Sequence, residues 1–200
     1  MKQLLVVNLC KMIRNLIVIF LFPVSLIAQI HSKSQKAVSI SGGMMDRFSR
    51  NKGDNSAVWL NIAVSKYNSR SGGIRYGLNF QEKYYETIIQ KRIPVNQYFG
   101  EVGYGFELTK SRSKRFYLNA HVSGLVGYES INNEKKEVGT TLFIQNECKI
   151  LVGMQLYTEV EMILSTKTSF ILSVGQIWTP TSDLQDFHSK VGFGVRLNYF

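Results

Sequence analysis

The chain has little of what most site chemistry requires. Two cysteines, three histidines and three prolines are spread over 200 residues, and no Cys/His spacing forms a metal-ligand cluster. Cys10 sits in an N-terminal segment that reads as removable. Cys148 is then the only cysteine left, which excludes an intramolecular disulfide. Neither cysteine ends an apolar run, as lipid attachment would need. From Ala37 onward no apolar stretch approaches the roughly 20 residues of a membrane helix. Scarce proline beside 10 Tyr and 12 Phe, with 44% apolar and 19% charged residues, points to one folded, strand-rich unit and not to disorder.

The N-terminus carries Lys2, Lys11 and Arg14, no acid, and then an apolar run from Leu16 to Ala28. This order predicts a secretory signal peptide over 1–28, cleaved before Gln29. The rival, a single transmembrane anchor, suffers from the shortness of the run and from Pro23 within it. Met1 and Met12 both remain open as the start, since the exported chain is the same from either. A leader over 29–36 and a folded domain over 37–200 complete the predicted organisation. Removal of three basic residues leaves 21 Lys and Arg against 14 Asp and Glu, a charge of +7. Such a surface suits lipopolysaccharide or another anionic partner, although interspersed charge is also what any solvated surface carries.

What is present is alternation. Val58, Leu60, Ile62 and Val64 stand against Asn61, Ala63 and Ser65, the pattern of a strand with one apolar side. The same period appears in Ile74–Phe80, Tyr98–Leu108, Phe116–Val126, Val152–Leu164 and Val191–Tyr199. With less regular segments at 37–46 and 168–179, the count is eight strands. The connections at 47–57, 87–94, 131–149 and 180–188 are longer than those at 69–72, 110–114 and 165–167. Even strand number with alternating loop length is the mark of an outer-membrane barrel. The predicted fold is therefore all-β, an eight-stranded antiparallel up-and-down outer-membrane β-barrel after a cleaved signal peptide.

A soluble sandwich also alternates, so the membrane reading needs more. The polar face mixes glycine with Arg75, Glu101, Glu107, Glu159, Glu161, Lys190 and Arg196, as expected of a narrow lumen filled by an ion-pair network. Tyr84, Tyr85, Tyr98, Tyr128, Trp178 and Tyr199 fall near strand ends, where interfacial girdles lie. Eight strands enclose a space filled by their own side chains, which disfavours transport of large solutes. The inward carboxylates read as structural partners of the arginines and not as an acid–base pair. His31, His121 and His188 have no Ser or acid spacing that makes a nucleophilic set. Neither a catalytic residue nor a metal or cofactor site is expected.

The phrase Gly127-Tyr128-Glu129-Ser130-Ile131-Asn132, the strand Glu101-x-Gly103-Tyr104, and the ending from Val191 to Phe200 resemble the conjugal transfer protein TraO family of Bacteroidota conjugative transposons. The resemblance covers most of the exported chain. It implies a non-enzymatic outer-membrane component of a conjugative, type IV secretion-like apparatus. Its partners would be other transfer proteins and outer-membrane lipid. Direct nucleic-acid contact is not expected, although the basic charge alone leaves it open. Tyr128, Glu129 and Asn132, where a strand enters the longest connection, are the candidate partner surface. Two other classes stay open: a small barrel for adhesion or surface stabilisation, and a lipid-modifying enzyme, which would need an exposed acid, His or Ser set near the outer rim, with His188 and Asp186 the residues to test.

Overall fold

The period-two pattern becomes a closed wall. In the computed structural model, the described residues are 34–46, 57–69, 72–86, 92–111, 115–132, 137–138, 142–143, 148–182 and 185–199. The expected signal peptide over 1–28 and most of the leader lie outside them, with Cys10 and His31. Strands are β1 (Lys36–Met45), β2 (Ala57–Ser69), β3 (Gly72–Glu86), β4 (Arg92–Lys110), β5 (Phe116–Ile131), β6 (Glu137–Val138), β7 (Leu142–Phe143), β8 (Cys148–Ile163), β9 (Thr168–Trp178) and β10 (Phe187–Tyr199). Eight of them form a closed barrel in the order β1-β10-β9-β8-β5-β4-β3-β2, as the alternation predicts. The 131–149 connection, expected as a loop, holds the small antiparallel ribbon β6-β7.

Strands run past their apolar cores, because ladder hydrogen bonds continue where side-chain alternation stops. β3 and β4 pair as far as Glu86↔Arg92, so β4 takes the last residues of the expected 87–94 connection. That connection shrinks to 87–91, the same length as 111–115 on the other side. The ends of the wall, Lys36 and Tyr199, pair with each other at the rim that carries the turns at 70–71, 111–115 and 164–167.

The wall is staggered. Paired residues lead from Ala37 through Ser65, Arg75, Gly103, Ser123, Gln155 and Ile177 to His188. His188 then meets Asp46 beyond the far end of β1, not Ala37 at its start. This offset tilts the strands and sets the bore of the barrel. Faces alternate as the pattern requires: Asn61 is 2% exposed between Leu60 at 46% and Ile62 at 47%.

Candidate functional site: the lumen and the outer face

Inside the turn-side half the wall brings charges together in two groups. Arg196 donates from Nη1 to Glu161 Oε2 and from Nη2 to Glu159 Oε1, each at 2.5 Å. The two glutamates are two positions apart on β8, so both point inward and one guanidinium fork serves both. Arg75 lies 3.3 Å from Glu101 and donates to Ser39 and Asn61. Glu101 also accepts from Asn61, Asn79 and Ser123. Buried charges without such partners would be prohibitively costly.

Lys190 goes elsewhere. Its ammonium donates to Gln155 Oε1 at 2.6 Å and sits over the rings of Trp59 and Tyr157 at 4.9 and 4.7 Å. Glu107, less buried than the rest, lines a cavity of about 20 Å³ at the turn-side rim, with His121, Asn119 and Arg196 on its walls. That is room for about one water. His121 stacks on Tyr157 with ring centroids 4.6 Å apart, a packed interior histidine.

Sequence reasoning missed the next layer. Met45, Ala57, Trp59, Phe99, Leu125, Leu151 and Ile177 form a buried apolar cluster inside the loop-side half of the barrel. The signal was available, since Leu125 lies two positions beyond inward Ser123 and Phe99 two before inward Glu101. An apolar interior residue between exposed apolar ones disguises itself as a break in alternation.

Above this layer the mouth is polar again. Asp46 Oδ2 contacts His188 Nδ1 at 2.6 Å and Lys83 Nζ at 2.9 Å, while its Oδ1 accepts from the Ser189 amide at 2.7 Å. Burial pushes the Asp46 carboxyl up, but the hydrogen bonds and charges of His188 and Lys83 outweigh it and hold the group below its ordinary value. Lys83 also donates to Gln185 Oε1 at 2.6 Å. Glu129 accepts from Gln97 at 2.6 Å and from Ser182 at 3.1 Å. The 179–186 connection is thereby tied into the mouth.

This corrects one expectation. Glu129, grouped with Tyr128 and Asn132 as a partner surface, is fully buried in the lumen. Neighbours on a strand face opposite ways, so Tyr128 and Glu129 cannot share a surface. Tyr128 faces outward between Tyr98 and Ile150, and Asn132, with φ 53°, ends β5 at the loop-side rim. His188 is likewise buried, 2% exposed, whereas Asp186 is exposed. The exposed His and acid set that lipid chemistry would need is not formed by these two residues.

The outer face is apolar in continuous rows. Phe80, Tyr98, Tyr128 and Ile150 are cross-strand partners, and Leu78, Gly100, Val126 and Val152 form the row beneath. Above the aromatic row stand Glu82 and Asn96, also paired with each other. The apolar band thus ends where aromatics give way to polar groups, the order found at a membrane interface. Leu78, Val126 and Ile150 are 63–71% exposed, an arrangement that water would penalise over so wide a surface.

Solved structures with this architecture include Ail, the attachment invasion locus protein of Yersinia pestis, in complex with the heparin analogue sucrose octasulfate. It is 12% identical, with 84% of this chain and 99% of that chain covered and a TM-score of 0.53. Neisserial surface protein A is similar at 8% identity, with 82% and 96% covered and a TM-score of 0.52. At such identity the likeness is one of fold. No curated protein matches the sequence. The family comparison is decisive, because the description "Conjugative transposon protein TraO" matches residues 33–199, the whole barrel wall from β1 to β10: the chain belongs to the TraO family.

Proposed function

We propose that this TraO-family chain is a non-enzymatic outer-membrane component of the conjugative apparatus that moves transposon DNA between cells, exported through a signal peptide over 1–28 that is then cleaved. The observation that carries the reading is the inversion of an ordinary soluble protein. Polar and charged side chains fill the interior on both sides of one apolar layer, while Leu78, Val126, Ile150, Leu156 and Phe193, each more than 60% exposed, stand outside. Only a hydrocarbon surrounding makes that arrangement stable. Both ends of the wall share the short-turn rim, which faces the periplasm in this reading, and the longer connections face outward.

With the bore filled by ion pairs and then by an apolar layer, DNA has no path through the barrel. Its contribution is assembly, through contacts with other transfer proteins and with outer-membrane lipid. Tyr128 and Asn132 at the outer rim of β5 remain the candidate partner positions. The test is transfer frequency from a donor with a clean in-frame deletion, with and without the intact copy. A complementable loss supports the reading, and unchanged transfer overturns it. Membrane insertion is checked apart from that: the barrel in detergent should change gel mobility on heating.

A further inference from the structure

The charge of the exported chain is not spread evenly. On the loop side, residues 46–54, 82–92, 129–149 and 183–186 hold nine Lys and Arg against ten Asp and Glu. On the turn side, residues 66–73, 108–118 and 164–168 hold seven Lys and Arg and no acid, and Lys36 at the start of β1 adds an eighth. The excess positive charge therefore sits at one rim. Three of its cations line up across the neighbouring strand ends of β9, β10, β1 and β2. Lys36 and Lys66 are direct cross-strand partners, both exposed on the outward face. On the other side of Lys36 stands Tyr199 of β10, and the exposed Lys167 is fixed beside that strand by a hydrogen bond of 2.7 Å from the Asn198 amide to its carbonyl. Uncharged residues surround the lysine pair: Tyr199 flanks Lys36, Ile74 flanks Lys66, and Val38↔Val64 is the pair above.

We infer that Lys36 and Lys66 clamp the phosphate of an anionic phospholipid of the periplasmic leaflet, with Lys167 at the edge of the same site. Like charges directly opposite on a strand pair, about 5 Å apart at Cβ, destabilise it. One phosphate held between the two ammonium groups turns that repulsion into attraction. The depth suits a headgroup. Above the pair the outward face turns at once to hydrocarbon, Val38↔Val64 and then Ile40↔Ile62, so a lipid whose phosphate meets the lysines lays its chains along those rows. The basic turns nearby adjoin the apolar band in the same way: Phe116 follows Arg115, Leu164 shares a connection with Lys167, and both apolar side chains are exposed. An acidic protein docking from the periplasm would need cations that stand clear of the membrane surface. Lipopolysaccharide, the other phosphate-bearing lipid, belongs to the opposite leaflet, where the rim charges balance. The site selects a lipid by headgroup charge, which an apolar wall cannot do, and it rests on the membrane reading above.

The test compares headgroups on one barrel. The protein in detergent micelles is titrated with palmitoyloleoylphosphatidylglycerol and, separately, with the phosphatidylcholine of the same chains, and bound lipid is read by native mass spectrometry. Heat-dependent gel mobility is measured first, and its absence in wild type overturns the membrane reading itself. With the barrel intact, phosphatidylglycerol should bind about fivefold more tightly than phosphatidylcholine. Lys36→Gln with Lys66→Gln should bring the two affinities together and keep the heat-dependent mobility, since both side chains are exposed on the wall. Lys135→Gln with Lys136→Gln removes the same charge from the longest connection and should leave the preference unchanged, as should inorganic phosphate in excess. Equal affinities in wild type overturn the inference and leave the basic rim to an acidic protein partner or to solvent. So does a preference that survives in the Lys36 and Lys66 double variant. Loss of the preference in the Lys135 and Lys136 variant overturns it as well, by making net charge the cause, and displacement by inorganic phosphate does so by making the free ion the ligand.

Discussion

Asp46 and His188, 142 positions apart, meet at 2.6 Å where the staggered wall closes on itself. Asp46 is held below its ordinary pKa, so it binds its proton more weakly folded than unfolded. Its contribution is therefore complete above an unfolded value of about 4 and is lost as pH falls through the lower folded value. Urea unfolding in detergent should show wild type losing stability below about pH 4, a loss that Asp46→Asn blunts. An identical pH profile for the variant would remove Asp46 from the closure of the mouth.

Arg196 serves two buried carboxylates at once. Arg196→Ala strands both, and the expected destabilisation is about 3–5 kcal/mol. Replacing the three together, Arg196→Met with Glu159→Gln and Glu161→Gln, removes the charges as a set and should cost much less than the single change. Equilibrium unfolding of both variants checks the ordering, and a triple variant weaker than the single one contradicts it.

Leu156 is 63% exposed on the outer face, midway along β8. If hydrocarbon surrounds it, Leu156→Arg should cost about 2–4 kcal/mol in phosphatidylcholine vesicles, the penalty for a guanidinium near the bilayer midplane. Stability equal to wild type would mean that this row lies outside the membrane.

Glycines on the two faces should respond oppositely. A Cβ on Gly103 would fall 2.5 Å from Val122 O and 2.1 Å from Ser123 Oγ, so Gly103→Ala must push the wall apart. We expect a loss of about 1–3 kcal/mol by overpacking. Gly100→Ala, three positions earlier and facing outward, should be neutral or mildly stabilising, since a side chain there improves strand propensity. Melting of the two single variants separates the cases.

Facing was legible in the linear chain, because side chains alternate strictly along a strand and one apolar side needs no partner to be recognised. Strand number and closure followed, and so did the inward direction of Arg75, Glu101, Glu159, Glu161, Lys190 and Arg196. The burial of Glu129 was legible too, one step from outward Tyr128, but the shared loop-side position of the pair obscured it. Which inward charges meet was not legible. That Arg196 takes both Glu159 and Glu161, that Lys190 rests on Trp59 and Tyr157 and not on a carboxylate, and that Asp46 reaches His188 all depend on register and stagger. So does the apolar layer around Trp59, whose members come from seven positions on six strands. The sequence alone determined which side of the wall each residue occupies, since that is a local property of an extended backbone. Only the tertiary structure decided who stands beside whom, because pairing across a closed barrel is set by a shear that no single strand contains.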